Sequence, residues 1–350
     1  MRLERVILEN AFTPAEKGVA ILDYKAFKNA YTTLSDNKSI AKYLSPIMFM
    51  KLSAGSSGFV LLSTLMNFIN KKIQIERLSV QLEMYDSEGK GYLDESQLEN
   101  FIYDTIPSLY GLRNIEPEFV EFYVMTAVRK FMFFLDIRNT GKIAIGDIVL
   151  SDMIHDFLSL RNEDYNPRSW FALEYTKDVY ERYLFMDEDM DGMLSRHELR
   201  NYSGAQITRM AVDRVFAECP TYDGLLDYKG YLDLVLSIEN PAREASVRYF
   251  WRLLDVDKTG KVGYREIHGF LDDVIKRLDP CCSLQYTSYS PLCLFDEMLD
   301  MMSIPTLDYM TLKDALKYPK VGGVVLHMLI DAQGFYNHDN RENLLHTANS

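Results

Sequence analysis

Six glycines, Gly58, Gly91, Gly141, Gly192, Gly224 and Gly260, each stand two residues ahead of an aliphatic side chain: Val60, Leu93, Ile143, Leu194, Leu226 and Val262. Each such pair lies in a short loop between segments whose apolar residues recur at helical spacing, as in 179–185, 231–238 and 267–278. A unit of helix, turn and helix cannot bury its apolar face alone, so a chain that repeats it must stack or pair the copies. Successive glycines are separated by 33, 50, 51, 32 and 36 residues. A spacing near 33 suits two units side by side, joined by a two-stranded ribbon at the aliphatic position. Gly58 is therefore expected to pair with Gly91, and Gly192 with Gly224. Gly260 is expected to pair with a degenerate unit at 300–316, and the Gly141 unit is left without an assigned partner. The predicted class is all-α: an elongated array of paired helix–loop–helix units, several of them degenerate.

Long alternating strand patterns are absent, and Pro and Gly fall between the periodic segments. The stretch 119–136 is apolar on almost every face, which predicts a buried core helix, the alternative being a partner interface with Arg129 and Lys130 at its rim. The polar stretch RNEDYNPRSW, 161–170, is the expected boundary between an N-terminal half, 1–165, and a C-terminal half, 166–350. Hydrophobic residues at 47% and charged residues at 25% are those of a soluble globular chain with a sizeable core. The net charge of −13 argues against a nucleic-acid surface, which needs basic stripes, and suits a binder of cations or basic partners. Cys219, Cys281, Cys282 and Cys293 lack zinc-site spacing and are expected as reduced thiols. The N-terminus has no signal-peptide pattern, and the longest apolar run, 59–69, falls short of the roughly 20 residues of a spanning helix. A cytosolic or nuclear protein, with no membrane insertion, is expected.

The loops can be scored against calcium chemistry. Calcium takes six to eight hard oxygens, which a twelve-residue loop supplies from positions 1, 3, 5, 7, 9 and 12, with glycine at 6 for the turn and a bidentate Glu at 12. DEDMDGMLSRHE, 187–198, meets every requirement: Asp187, Asp189 and Asp191 at 1, 3 and 5, Gly192 at 6, the Met193 carbonyl at 7, Ser195 at 9 and Glu198 at 12. DVDKTGKVGYRE, 255–266, offers Asp255 and Asp257 at 1 and 3, the Thr259 hydroxyl at 5, the Lys261 carbonyl at 7 and Glu266 at 12. It has fewer ligand carboxylates, carries Lys258 and Lys261, and can use position 9, Gly263, only through water, so the weaker affinity is expected there.

Four further loops keep the turn and lose the donors. Loop 86–97 has Lys90 at 5 and Gln97 at 12, loop 136–147 has Arg138 at 3 and the short Asp147 at 12, loop 219–230 begins with Cys219 and ends with Gly230, and loop 53–64 has no carboxylate. These are expected to be structural. His197 and His268 flank the calcium loops and are expected at the surface. No nucleophile elbow, phosphate-cradling glycine loop or metalloprotease motif occurs, and no enzyme is expected.

Several segments resemble one known family: FYVMTAVRKFMFFLD at 122–136, FAECPTYDGLLDYKGYLDLVLSIEN at 216–240, FWRLLDVDKTGKVGYREI at 250–267 and LIDAQGFYNHDNRENLL at 329–345. They resemble the B″ regulatory subunits of protein phosphatase 2A, in particular the gamma-type branch and the plant Tonneau/Fass proteins, from about residue 10 onward. The resemblance implies a non-catalytic, EF-hand subunit that docks on the phosphatase scaffold–catalytic dimer and chooses its substrates or location, with ties to centrosomes, cilia and microtubule organisation. It places calcium at Asp187, Asp189, Asp191 and Glu198, and at Asp255, Asp257 and Glu266. Family members usually carry a long region ahead of this core, so a shortened ortholog or a fragment is expected. Two other readings stay open: a stand-alone calcium sensor with a Met-rich groove that includes Met298, Met301 and Met302, and a cytoskeletal protein that works without the phosphatase.

Overall fold

Residue 8 of each loop is in extended backbone, and two such residues side by side exchange hydrogen bonds. This contact organises the molecule. The computed structural model describes residues 6–9, 11, 20–34, 42–53, 58–202, 205–278, 290–305 and 308–340. Within them the chain is mainly helical, and its strands are two or three residues long. They form three antiparallel ribbons: β1 (Ile21–Asp23) with β2 (Phe59–Leu61), β3 (Tyr92–Asp94) with β4 (Lys142–Ala144), and β5 (Val262–Gly263) with β6 (Tyr309–Met310). A single bridge, Leu194 with Leu226, makes the fourth pair.

The register corrects one expectation and meets two. Leu194 opposite Leu226 and Val262 opposite Met310 join the Gly192 unit to the Gly224 unit, and the Gly260 unit to the one at 300–316. The Gly58 unit does not pair with the Gly91 unit. Val60 lies opposite Leu22, and Leu93 lies opposite Ile143, so the Gly141 unit partners Gly91. The chain divides into two compact units, Met1–Met84 and Tyr85–Ser350, and the expected pairing would have crossed that division.

In the first unit, Leu22, Val60, Phe27, Phe49, Leu65 and Ile69 form one buried cluster. Leu65 and Ile69 come from the long helix Leu62–Glu83. Phe27 and Phe49 meet edge to face at 5.2 Å.

In the second unit the helix Val120–Leu135 is buried through Tyr123, Val124, Ala127, Val128 and Phe131, as its all-round apolar pattern requires. Its polar atoms are matched. The Tyr123 hydroxyl donates to the Phe171 carbonyl at 2.8 Å, Trp170 Nε1 donates to the Thr126 carbonyl at 3.0 Å, and Arg129 makes two 2.6 Å bonds to Asp233. The stretch 161–170, expected as the domain boundary, thus lies inside the second unit. Its polar residues and Pro167 do mark a loop, but the loop ends in Trp170 and Phe171, which are buried against the Val120–Leu135 helix. Farther on, the helix Pro319–Met328 packs on Glu244–Leu254. Gly323 permits this approach, because a side chain there would run into the Pro241 carbonyl.

Candidate metal centre

The helix Leu173–Met186 ends at Asp187, whose amide donates to the Tyr183 carbonyl. The chain then reverses through Met190 and Gly192, both left-handed at φ 59° and 79°. Glycine adopts such a turn without strain. Asp187 is buried, with Oδ2 accepting the Gly192 amide at 3.0 Å and Oδ1 accepting the Asp191 amide at 3.1 Å. Asp189 accepts the Asp191 amide at 3.3 Å, and Asp191 accepts the Met193 amide at 2.7 Å. Carboxylate oxygens of Asp187, Asp189 and Asp191 all fall within 4.8 Å of one another.

Glu198 closes the loop. Its Oε1 accepts the Glu188 amide at 2.9 Å and its Oε2 the Ser195 amide at 2.7 Å, with the residue buried. Burial opposes its charge, but the Ser195 hydroxyl and the amides of Ser195, Glu188 and Asp189 hold its pKa below the usual carboxylate value. Asp189 shows the opposite balance. The Asp191 amide favours its charge, yet desolvation and the neighbouring charges of Asp191, Glu198 and Asp187 raise its pKa. The structure brings three carboxylates together and leaves Glu198 outside that cluster, on the amides of Glu188 and Ser195. Three carboxylates so close repel one another, and a hard divalent cation that takes oxygen ligands relieves that repulsion. The donor set therefore suits calcium. Ser195 has a second task, for which the Ser-x-x-Glu spacing is the signal: its hydroxyl accepts the Glu198 amide at 3.3 Å and caps the helix Arg196–Leu199.

Loop 255–266 repeats the plan more loosely. Asp255 accepts the Gly260 amide at 3.0 Å, Asp257 accepts the Thr259 hydroxyl at 2.9 Å, and Glu266 accepts the Gly263 amide at 3.0 Å. The Lys261 carbonyl, expected as a ligand, faces the Thr259 hydroxyl at 3.1 Å. Asp257, Thr259 and Lys261 are exposed. The two lysines are drawn away from the loop centre: Lys258 Nζ lies 3.3 Å from Glu218, and Lys261 Nζ sits 4.4 Å over the Tyr309 ring. Glu218 in turn pairs with Arg214, whose guanidinium also donates to the Leu253 carbonyl at 2.8 Å. The helix Arg209–Glu218 thus grips both the loop and the helix that enters it, a relationship with no signature in the spacing.

The degenerate loops keep the backbone geometry with other bonds. Asp86 and Asp136 each accept the amide of the turn glycine, Gly91 or Gly141, at 2.6 Å. Asp136 also takes the Thr140 amide and hydroxyl at 2.9 Å each. At position 12 of the first of these loops, Gln97 accepts the Asp94 amide through Oε1 and donates through Nε2 to Ser87 at 3.1 Å. A donor thus faces the loop where a ligand oxygen would be needed. Part of loop 53–64 lies outside the described residues, as do Cys281 and Cys282. Cys219 is buried, and Cys293 is exposed and free. His197 and His268 are exposed. Among the described residues, no helix is long and apolar enough to cross a membrane.

Paired helix–loop–helix units joined at loop position 8, one of them with the full oxygen set, define an EF-hand protein. No family model matches the chain. The chain is 38% identical over 313 residues to the gamma-type B″ regulatory subunit of serine/threonine-protein phosphatase 2A from Rattus norvegicus, covering 88% of this chain and 68% of that protein. The Homo sapiens protein of the same name is 38% identical over 309 residues, covering 87% and 67%. TON2 of Arabidopsis thaliana, a probable B″-type regulatory protein of the same phosphatase, is 28% identical, covering 98% and 73%. A chain of a solved PP2A PR70 holoenzyme, described as di-calcium, superposes with a TM-score of 0.62 at 20% identity, over 72% of this chain and 95% of that one. The chain belongs to the B″ family of protein phosphatase 2A regulatory subunits. These relatives are regulatory, not catalytic, subunits.

Proposed function

We propose that this chain binds calcium and docks on the scaffold and catalytic subunits of protein phosphatase 2A, directing them to substrates or to centrosomal, ciliary or microtubule-associated sites in the cytoplasm. The observation that carries the reading is the 38% identity to the gamma-type B″ protein across 88% of the chain. The description of the PR70 holoenzyme as di-calcium supports a role for the metal.

Calcium is assigned first to loop 187–198, held by Asp187, Asp189, Asp191, the Met193 carbonyl, Ser195 directly or through water, and bidentate Glu198. A weaker site is assigned to Asp255, Asp257, Thr259, the Lys261 carbonyl and Glu266. Bound calcium supplies a cross-link between the two ends of each loop, and this fixes the angle of the flanking helices and with it the docking surface. The test is purification of the chain from native extract in calcium and in chelator. Phosphatase scaffold and catalytic subunits should co-purify, and their absence under both conditions would overturn the proposal.

A second reading, a stand-alone sensor, draws on Phe185, just ahead of the first calcium loop, and Met190, within it, which are 79% and 88% exposed. Met298 and Met302 are both buried, as the groove of a closed sensor is. A sensor exposes apolar surface when calcium binds, so unchanged binding of an apolar dye on calcium addition would discard this reading.

A further inference from the structure

A cleft of about 420 Å³ lies directly behind the helix Arg196–Leu199 that closes the first calcium loop. Arg200, Tyr202, Gln206, Arg277 and Gln333 line it. Its walls come from three distant parts of the chain and are tied together. The Gln206 amide donates to Asp331 at 2.8 Å, the Ala332 amide to the Gln206 carbonyl at 3.0 Å, and Arg277 to the Arg200 carbonyl at 3.2 Å.

The cleft sets two guanidiniums, Arg200 and Arg277, into its wall, while the Asp331 carboxylate is engaged behind it by the amides of Gln206 and Gln333. Among the described residues, none that line it is acidic. A second arginine-bearing cleft, by contrast, sets Arg129, Arg248 and Arg252 against Glu95, Asp136 and Asp233. Arg200 Nε is buried with no hydrogen-bond partner among the described residues. The carboxylate facing Arg200 is that of Asp213, 3.6 Å from Nη2, and Asp213 is also approached by Arg209 at 3.9 Å. A shielded guanidinium donor such as Arg200 Nε without an acceptor is costly, and two guanidiniums together match the several oxygens of a tetrahedral dianion.

We propose that this cleft binds the phosphoryl group of a phosphorylated protein segment. Two guanidiniums supply more donors than one carboxylate can accept, which favours a phosphoryl group over an acidic side chain. Apart from Tyr202 and Ala205 the lining is polar, so it offers little wall for a nucleobase or an acyl chain. This goes beyond the regulatory-subunit reading and needs no calcium.

The experiment is calorimetric titration of the full chain, in chelator and at constant ionic strength. The probes are a short capped peptide with one phosphoserine, its unphosphorylated twin, and inorganic phosphate. The phosphopeptide should bind, the twin should not, and inorganic phosphate should bind more weakly than the phosphopeptide. Arg277→Gln, at an exposed side chain, should weaken phosphopeptide binding by about tenfold or more with an unchanged melting temperature. Arg200→Lys keeps the charge, loses the fork and should weaken it as well. Absence of binding, equal binding of the twin, full affinity in Arg277→Gln, or inorganic phosphate binding as tightly as the phosphopeptide would each overturn the proposal. Because calcium is excluded, failure here leaves the calcium assignment standing, and failure of that assignment leaves this one.

Discussion

Leu194 and Leu226 exchange both of their backbone hydrogen bonds, each at 2.8 Å. The first belongs to the loop with the full oxygen set and the second to a loop that begins with Cys219 and lacks one. The loop that begins with Cys219 therefore holds the middle of loop 187–198 in place. Leu226 is fully buried, and a methyl group on Gly230 would collide with its side chain. Gly230→Ala should displace Leu226 and lower calcium affinity at 187–198 by about fivefold or more, although Gly230 touches no ligand. Titration calorimetry reads the effect, and unchanged affinity would show that the bridge carries no coupling.

Glu198 and Glu266 hold the same loop position in different settings. Glu198 is buried and closes on three carboxylates, whereas loop 255–266 presents two. Glu198→Gln should therefore remove more calcium binding than Glu266→Gln, with the first loss about tenfold or more. The reverse order in a calcium titration would invert the ranking of the two sites.

Arg129 and Asp233 form a two-pronged pair with side chains 22% and 15% exposed. Burial pushes the Asp233 carboxyl upward while Arg129 pulls it back. Arg129→Met alone strands a largely buried carboxylate and should cost about 3–5 kcal/mol in urea unfolding. The double variant Arg129→Met/Asp233→Leu should recover most of that loss. If the single variant costs no more than the double, the two groups are not energetically paired.

His327 is packed 5.7 Å from the Phe250 ring, with Asp331 3.6 Å from its Nε2. Burial lowers its pKa below the usual 6.5, and Asp331 offsets only part of that. The folded chain therefore resists protonation more than the unfolded one. As pH drops below 6.5 the unfolded state takes up more protons and stability declines, by at most about 1.4 kcal/mol per pH unit for one group. The decline should flatten in His327→Gln. An equal slope in both proteins would assign it to another group.

The sequence was most legible where a residue type has one job. Glycine at the turn, carboxylates at positions 1 and 3 and Glu at 12 set loops 187–198 and 255–266 apart from the other loops, and the structure brings Asp187, Asp189 and Asp191 together. Pairing was less legible, because spacing says which units are near in the chain and not which aliphatic strands face each other. The unit at 21–23 escaped notice for a simple reason: Ala20 stands two residues before Leu22, where the other loops have glycine. Its signal lies in Asp23, which accepts the Ala26 amide at 2.7 Å as a helix cap does. The boundary at 161–170 misled because polarity reports exposure along the stretch, while two aromatic residues at its end decide the packing. The cleft at Arg200 and Arg277 had no signal at all, since its residues are 77 positions apart and neither belongs to a motif.

The bond from Gln97 to Ser87 has a consequence for how the protein meets a fluctuating ion. A metal ligand must be captured from solution, and its occupancy follows its supply. A side chain tethered to the same loop has a fixed effective concentration that no chelator, pump or dilution can reduce. Loop 86–97 is closed by such a tether, and loop 136–147 by the bonds gathered on Asp136. Closure of these two loops therefore needs no ion, and their shape is set by covalently tethered partners.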